Sequence, residues 1–363
     1  MKTAWKELVY NKRRYLLIEL IVVLLLFMVL FLSGLVNGLG RAVSAGIDSL
    51  PADYFVLSED SEQLVTVSHL SSEQVQELQE LAVDETASLD ISRGYVTKEG
   101  TDDQLDIAYF GVQVQEFAAP EVYKGETLAK TTAENPIVLD DDFEARGVEL
   151  GDQVIDSATD LSMTVVGFTK DQMYAHVSIG FISQDTYSEM RAVTNPNFQE
   201  RTNAFLIKEK DKEILHLDGL ELVDKKSVIN AIPGYQAEQA TISMVQWLLV
   251  AISAVVITIF YYVMTIQKER QFGVMKAIGI SMGKITSIIF WQILFIAGIG
   301  ALLADGLVFL MAQFLPATMP FYLQRESLVL ITIVFVMVSI LGGLFSVFRV
   351  AKIDPITVIG GEG

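Results

Sequence analysis

Four long apolar runs constrain this chain more than any other feature of its sequence. They cover residues 15–37, 241–266, 285–315 and 327–348, and charged side chains are rare within them. A helix needs about 20 apolar residues to cross the hydrocarbon core of a bilayer. A cleavable signal peptide, the alternative for the first run, would have a shorter apolar region. The sequence therefore predicts four transmembrane helices.

The residues between the first two runs have a different composition. Residues 38–240 contain 38 of the 45 acidic side chains but only 14 of the 26 basic ones. This negative charge disfavours nucleic-acid binding, which requires a basic surface. The chain has no cysteine, which excludes disulfides and thiolate metal ligands. We expect an acidic domain inserted between the first and second spans.

The inserted block alternates between strand and helix patterns. A helix is predicted from the cap at Ser71 or Ser72 to residue 81, and another over residues 140–148. β-Branched and aromatic content predicts strands. They are placed at residues 52–57, 94–97, 105–111, 136–139, 153–156, 163–168, 174–182 and 204–207. The fold class expected is a four-helix membrane protein with an α+β extracytoplasmic domain between helices 1 and 2.

Basic residues predict the orientation of the spans. Residues 1–14 read as an amphipathic helix carrying cations, which suits the headgroup region of a membrane. Further cations lie in residues 267–284 and 349–363, whereas residues 316–326 form a short loop on the opposite side. Since cytoplasmic loops are enriched in Lys and Arg, both termini and the 267–284 segment are predicted to be cytoplasmic in a multi-pass cell-membrane protein.

The 267–284 segment also contains a recognisable pattern. It has a charged pair at Glu269-Arg270, then Phe272-Gly273, and then Lys276-Ala277-Ile278-Gly279. This pattern resembles the cytoplasmic coupling helix of FtsX-like, MacB-type ABC transporter permeases. Arg349 and Ile353-Asp354-Pro355 resemble the closing motif of the same family. The resemblance implies that the segment docks on a separate ATPase subunit, which binds the ATP.

The residues assigned to this ATPase coupling share one short stretch, and the spacing of several of them would place them on one helix face. They are Glu269, Arg270, Phe272, Gly273, Met275, Lys276, Ala277 and Gly279. No G-x-x-x-x-G-K-[ST] motif occurs in the sequence, so a P-loop cannot supply the nucleotide site. The chain is therefore expected to be a transporter subunit, not an enzyme.

The end of the first span and the strand that follows it resemble one branch of this family in particular. Residues 31–39 and 52–57 are similar to the HrtB/DevC branch, which includes haem-efflux permeases. The resemblance implies a homodimer with two ATPase subunits. Large apolar and polarisable residues near the outer ends of spans 1 and 2 are candidates to hold a flat amphiphile such as haem. They are Phe27, Met28, Phe31, Tyr235, Glu238, Met244 and Trp247. Ordinary lipid-facing or packing roles are the alternative for each of them.

Other polar features leave several interpretations open. Gly34 and Gly38 form a G-x-x-x-G pair that permits close helix contact. Glu19 would extend to the membrane interface or serve a function, and Asp305 would face a wet cavity, a bundle partner or the interface. The histidines His69, His176 and His216 are too widely spaced to predict a metal site. No intrinsic cofactor is expected.

The sequence thus predicts the permease subunit of an ABC exporter that expels a hydrophobic substrate, with haem as the first candidate. Two other functions agree with the same features. One is an FtsX-like mechanotransmitter that activates a cell-wall hydrolase. The other is a drug, peptide or lipoprotein exporter that requires an adaptor protein.

Overall fold

The computed structural model describes residues 6–7, 9–10, 12–81, 85–195, 201–208, 218–316 and 319–351, with the backbone alone at 14 and 346–351. Two compact units divide the chain. The helical unit comprises residues 1–38 and 240–363, and the α+β domain comprises residues 39–239. Residues 353–355 of the predicted closing motif and residues 1–5, 8 and 11 of the predicted amphipathic helix (residues 1–14) lie outside the described residues.

The helices of the described chain follow in order. They are α1 (Lys12–Asp48), α2 (Ser72–Leu81), α3 (Asp141–Ala145), α4 (Gln184–Thr194), α5 (Lys225–Ala231), α6 (Tyr235–Ile266), α7 (Glu269–Ala277), α8 (Met282–Ala312) and α9 (Arg325–Ala351). Four of them, α1, α6, α8 and α9, are long and apolar enough to cross a membrane. Each exposes a row of large apolar side chains along its length. Exposed apolar faces of that length suit a lipid environment, which confirms the predicted helical membrane fold.

The first helix is longer than its apolar run. α1 continues beyond residue 37 and ends at Asp48. Its last turns carry Val43 and Ile47, which are buried in the core of the α+β domain. Packing of these turns, not hydropathy, therefore extends the helix beyond the apolar run. Pro51 follows shortly after, and because helical geometry is disfavoured for the residue before a proline, the helix cannot continue much further.

Seven of the eight predicted strands are present among the described residues, and four observed strands lie outside the predicted ranges. The observed strands are β1 (Tyr54–Ser58), β2 (Leu70–Ser71), β3 (Thr86–Lys98), β4 (Gln104–Val112), β5 (Lys124–Gly125), β6 (Pro136–Asp140), β7 (Gln153–Asp156), β8 (Ser162–Thr169), β9 (Met173–Tyr174), β10 (Val177–Ser183), β11 (Arg201–Thr202), β12 (Ala204–Ile207) and β13 (Leu220–Asp224). The helix predicted to end at residue 81 is confirmed as α2. The helix predicted over 140–148 is shorter and covers only α3.

The strands form one mixed sheet and a small two-stranded one. The main order is β13-β1-β12-β3-β4-β10-β6-β8-β5, with β7 beside β3 and β8, and β9 beside β10. β10 runs parallel to β4, and β6 runs parallel to β8. At one end β1 pairs antiparallel with β13, from Tyr54 opposite Asp224 to Ser58 opposite Leu220. Strands from the start and the end of the domain therefore meet in one sheet.

One predicted strand is wrong. Residues 174–182 do not form a single strand, because Ala175 and His176 have φ values of 49° and 66° and turn the chain between β9 and β10. Their backbone N–H groups donate to Val43 and Ala42 carbonyls, both at 2.8 Å. Left-handed conformations at non-glycine residues are uncommon and need such compensation. These contacts with residues distant in sequence cannot be read from a strand pattern.

A buried polar cluster fixes β3 to later parts of the chain. The Asp90 carboxylate accepts hydrogen bonds from the Asn203 backbone N–H and the Gln184 side-chain amide, both at 2.9 Å. The Asn203 side chain accepts from the Ile91 N–H and donates to the Ser68 carbonyl, each at 2.8 Å. Asp90 is almost completely buried. A buried carboxylate needs such donors, because removing it from water is costly.

Candidate coupling and substrate sites

The short helix α7 has one buried face and one exposed face. Phe272 and Gly273 are buried, and Met275 packs partly against the same core cluster of the helical unit. Val274 and Ile278 point away and are 45% and 72% exposed. Arg270, Gln271 and Ala277 are also exposed. The surface that a partner protein can reach is therefore the side of Val274 and Ile278.

This orientation divides the predicted coupling residues into a buried group and an exposed group. Phe272 and Gly273 cannot contact a partner in this arrangement because they pack inside the helical unit. Phe272 and Met275 do share a helix face, as their spacing predicts, but that face turns inward. Glu269 and Lys276 are partly exposed, and Arg270 and Ala277 remain accessible. Val274 and Ile278 lie on the exposed side and were not among the predicted coupling residues.

Gly279 has a structural role at the end of α7. Its N–H donates to the Lys276 carbonyl at 3.0 Å, and the Ile280 N–H donates to the Met275 carbonyl at 3.0 Å. These two bonds form a Schellman motif, which requires a left-handed residue after the helix. Gly279 supplies this with φ of +85°. The glycine thus ends the helix and turns the chain toward α8.

Of the predicted substrate residues, those on α1 divide into packed and exposed. Phe27 and Phe31 stack with ring centroids 6.0 Å apart, and Phe31 stacks on Phe321 at 5.4 Å. Met28, which follows Phe27 directly, is 55% exposed. Met244 and Trp247 on α6 are exposed as well. The structure therefore gives Phe27 and Phe31 packing roles and leaves Met28, Met244 and Trp247 available for contacts outside the chain.

A small cavity lies between α1, α6 and α9, at the helix ends distant from α7. Its volume is about 200 Å³. Trp247 lines it together with polar side chains from three helices, Ser33 and Asn37 on α1, Gln246 on α6 and Ser327 on α9. Pockets for drug-sized ligands usually measure about 300–1,000 Å³. The cavity within a single chain is therefore too small for a large flat ligand.

Tyr235 and Glu238 belong to the α+β domain. Tyr235 packs partly against the domain core. One carboxylate oxygen of Glu238 lies 3.2 Å from Nε2 of His176. An ion pair forms there when the imidazole is protonated. No local signal connects these two residues, which are 62 positions apart.

The two glycines of the G-x-x-x-G pair on α1 contact a loop. A Cβ at Gly34 would overlap the Phe321 ring, and one at Gly38 would overlap the Pro320 carbonyl. The Tyr322 N–H donates to the Gly34 carbonyl at 2.9 Å. The predicted close approach is present, but the partner is the loop before α9. Small residues are needed here because backbone lies directly against backbone.

The two acids within the four apolar runs have different surroundings. Asp305 on α8 accepts a hydrogen bond from the Thr332 hydroxyl on α9 at 2.9 Å, so it has a partner within the helical unit. One oxygen of Glu19 on α1 is buried and has no hydrogen-bond partner among the described residues. The extension of Glu19 to the interface does not fit this burial.

A larger cavity lies within the α+β domain. It measures about 430 Å³, and Tyr123, Lys170, Gln172 and Phe181 are among its lining residues. The Lys170 ammonium lies 4.7 Å from the centre of the Tyr123 ring. Next to it, the Asp140 carboxylate accepts from the Gln172 N–H at 2.6 Å and from the Asp142 N–H at 3.2 Å. Burial nevertheless raises the pKa of Asp140 to about 7.

The pH dependence of the domain should reflect Asp140. Its pKa is about 7 in the folded chain, whereas an unfolded aspartate has a pKa of about 3.9. The folded state therefore binds this proton more tightly, and the free energy of unfolding should fall as pH rises from about 4 to 7. Hydrogen exchange of β6 peptides, corrected for intrinsic rates, measures the profile of this free energy against pH. Asp140→Asn should flatten the profile, and Asp103→Asn, on an exposed loop, should not; an unchanged profile in Asp140→Asn would contradict the assignment.

The described residues contain no group of three or more His, Asp or Glu side chains placed to hold a metal ion. What the geometry defines is a helical unit that could sit in a bilayer, with an exposed face on a short helix at one end and exposed Met and Trp side chains near the other. A polytopic membrane protein is the class that agrees with this arrangement.

Comparisons with known proteins assign the chain more narrowly. Residues 243–355 match the family model described as FtsX-like permease C-terminal. The chain is 31% identical over 361 residues to a Staphylococcus epidermidis (strain ATCC 12228 / FDA PCI 1200) protein provisionally named hemin transport system permease protein HrtB, covering 99% of both chains. A protein of the same provisional name from Staphylococcus haemolyticus (strain JCSC1435) is 29% identical over 366 residues, again covering 99% of both. The chain belongs to the FtsX-like permease family, and it is a membrane protein.

Two solved structures show weaker similarity. The extracellular domain of the ABC-type transporter YknZ from Gram-positive bacteria overlaps 48% of this chain and 99% of its own, with 11% identity and a TM-score of 0.33. A permease-protein domain from Porphyromonas gingivalis overlaps 47% of this chain and 86% of its own, with 11% identity and a TM-score of 0.30.

Proposed function

We propose that this chain is the permease subunit of an ABC exporter that expels haem from the membrane. A separate ATPase subunit binds and hydrolyses ATP, and the permease transmits the resulting movement. The substrate assignment is supported by full-length similarity to proteins named for hemin transport. The single observation that carries the proposal is this similarity, which extends over both units and not only over the family's C-terminal region.

The proposed ATPase-facing surface is the exposed side of α7. Val274 and Ile278 form an apolar patch, and Arg270 lies beside them. Large apolar side chains exposed in water next to a polar rim are typical of protein interfaces. α7 also lies between two spanning helices, α6 and α8. A displacement of α7 would therefore act on both of them directly.

The proposed orientation places α7 and the chain termini in the cytoplasm. Lys268, Arg270, Lys276 and Lys284 cluster around α7, and cytoplasmic loops are enriched in such cations. The acidic α+β domain, inserted between α1 and α6, would then lie outside the cytoplasm. The substrate residues near Met28 and Trp247 would lie in the outer half of the bilayer.

The proposed haem site lies between two copies of the chain. The cavity beside Trp247 is too small for haem within one chain, whereas Met28, Met244 and Trp247 are exposed. Two facing copies would enclose such residues between them, and thioether sulfur is an established axial ligand of haem iron. The proposed assembly is a homodimer with two ATPase subunits, as the family resemblance implies.

The test is to purify the chain with its ATPase subunit in lipid nanodiscs, add haem, and record the absorbance spectrum and the ATPase rate. A shifted Soret band and a haem-stimulated ATPase rate are expected. Met28→Ala and Met244→Ala should weaken haem binding about tenfold, a loss that corresponds to about 1.4 kcal/mol. Met337→Ala is the matched control, since Met337 lies on α9 and is 55% exposed like Met28.

Two results would contradict the proposal. A complex that neither binds haem nor responds to it would remove haem as the substrate and favour an adaptor-coupled exporter of another compound. A complex whose ATPase rate responds only to a cell-wall hydrolase would favour a mechanotransmitter.

A further inference from the structure

Four polar side chains connect the start of α7 to the rest of the helical unit. They are Glu7 from the N-terminal segment, Tyr15 from α1, Lys268 immediately before α7, and Gln292 from α8. We call them the Lys268 network. Its members come from four separate segments, and Gln292 and Glu7 are 285 positions apart. The network therefore fixes segments that local sequence does not hold together.

The contacts form a closed loop. The Lys268 ammonium lies 2.5 Å from Oε1 of Glu7 and donates to the Tyr15 hydroxyl and to Oε1 of Gln292, the latter at 3.2 Å. The Gln292 amide in turn donates to Oε2 of Glu7 at 2.6 Å. Within this group the ammonium therefore donates two hydrogen bonds and forms one ion pair. Oε1 of Glu7 is held by the ion pair alone, whereas Oε2 accepts from Gln292.

The network is buried, although it contains two charges. The Lys268 side chain is 6% exposed, and Tyr15 and Gln292 are buried as well. A buried ion pair contributes little net stability compared with apolar residues of similar volume, because both ions lose their hydration. Its strict geometry instead fixes the relative positions of the segments that carry it. Stability alone therefore does not account for placing an ion pair here.

Lys268 also belongs to the first turn of the helix that it precedes. Its carbonyl accepts the Phe272 N–H at 3.0 Å, and its own N–H donates to the Thr265 carbonyl at 3.1 Å. The backbone of Lys268 is therefore continuous with both α6 and α7, while its side chain is held by α1, α8 and the N-terminal segment. A movement of α7 cannot leave the other three segments in place without breaking these contacts.

We propose that Lys268 is a positioning residue that fixes α7 to α1, α8 and the N-terminal segment, so that these elements move together when the ATPase displaces α7. This rests on the proposed function. The N-terminal segment thereby becomes part of the coupling apparatus through Glu7, in addition to any contact with lipid headgroups.

The test compares Lys268→Met, Glu7→Met and the double variant in proteoliposomes with the ATPase subunit. The quantity measured is haem exported per ATP hydrolysed. It should fall about tenfold in each single variant, where one charge stays buried without its partner, while the ATPase rate itself is kept. In the double variant the haem exported per ATP should fall by a similar factor, because both single substitutions already break the same contact between Lys268 and Glu7. Lys12→Met, an exposed cation at the start of α1, is the matched control.

A second measurement needs neither ATPase nor haem. The chain has no cysteine, so Met275→Cys introduces a single thiol on the inward face of α7. Its labelling rate with a membrane-impermeant maleimide should rise about tenfold when Lys268→Met is added, because a released helix opens more often. The double variant, which leaves no unpaired buried charge, provides the folded sample if the single variants aggregate.

The outcomes distinguish the inference from the proposed function. If the wild-type complex exports no haem but Lys268→Met still raises labelling at position 275, the proposed function fails and the positioning role stands. If labelling and export per ATP stay at wild-type values in the single and double variants, the positioning role is wrong. If the double variant regains wild-type export, the network serves stability alone and the inference is overturned.

Discussion

Truncating Val274 and Ile278 together to alanine is expected to abolish ATP-driven export while leaving the permease folded. Both side chains are exposed on α7, with Ile278 at 72%, so their removal costs little packing within the chain. If they enter pockets on the ATPase, the loss should be of hot-spot size, at least about 2 kcal/mol. This corresponds to roughly a 30-fold weaker complex. Titration of labelled ATPase subunit against the permease in nanodiscs measures it.

The control for this prediction is Val193→Ala. Val193 is an exposed apolar residue of comparable size on α4 of the α+β domain, far from α7 in sequence. It should leave ATPase affinity unchanged. Wild-type affinity in the Val274→Ala/Ile278→Ala variant would show that the partner binds elsewhere, and the assignment of this face would have to be withdrawn.

Asp90→Ala is expected to destabilise the α+β domain strongly. The substitution leaves the Asn203 backbone N–H and the Gln184 amide without the acceptor that each contacts at 2.9 Å. Each buried donor left unpaired costs about 1–3 kcal/mol, so the free energy of unfolding should fall by about 3 kcal/mol. Pulse proteolysis of the full chain across a urea series measures this quantity, because cleavage reports the unfolded fraction.

Asp106→Ala is the matched control. Asp106 is an aspartate on the adjacent strand β4, but its side chain is exposed. Exposed substitutions away from special contacts usually change stability by no more than about 0.5 kcal/mol. Equal urea midpoints for Asp90→Ala and Asp106→Ala would mean that the buried hydrogen bonds of Asp90 do not stabilise the domain.

Features with a regular repeat could be predicted from the sequence. Four uninterrupted apolar runs led to α1, α6, α8 and α9, because hydrocarbon thickness sets the length of a spanning helix. β-Branched and aromatic stretches located β12 and β7 to the residue. The cap signal at Ser71-Ser72 predicted α2 through Leu81. In each case the deciding interaction is local, or it depends only on the solvent.

Features that depend on distant partners could not be predicted. Helical spacing grouped Phe272 with Met275, but spacing does not say whether a face turns toward the protein or away from it. The hairpin at Ala175 and His176 depends on carbonyls of α1. Lys268 contacts Tyr15, which is 253 positions away in the sequence. The pairing of Glu238 with His176 likewise has no local signature. Such contacts are set by tertiary packing, which a window of neighbouring residues does not contain.

The pairing of β1 with β13 determines how the α+β domain would respond to tension. Tyr54, where the chain enters β1, lies opposite Asp224, where it leaves β13. The chain therefore enters the first strand and leaves the last strand at the same end of one antiparallel ladder. A force that pulls these two strand ends apart acts on the hydrogen bonds between β1 and β13 one after another, whereas a shear force would act on all of them at once. The domain would yield gradually to small forces at this edge, and the rest of the sheet would stay closed.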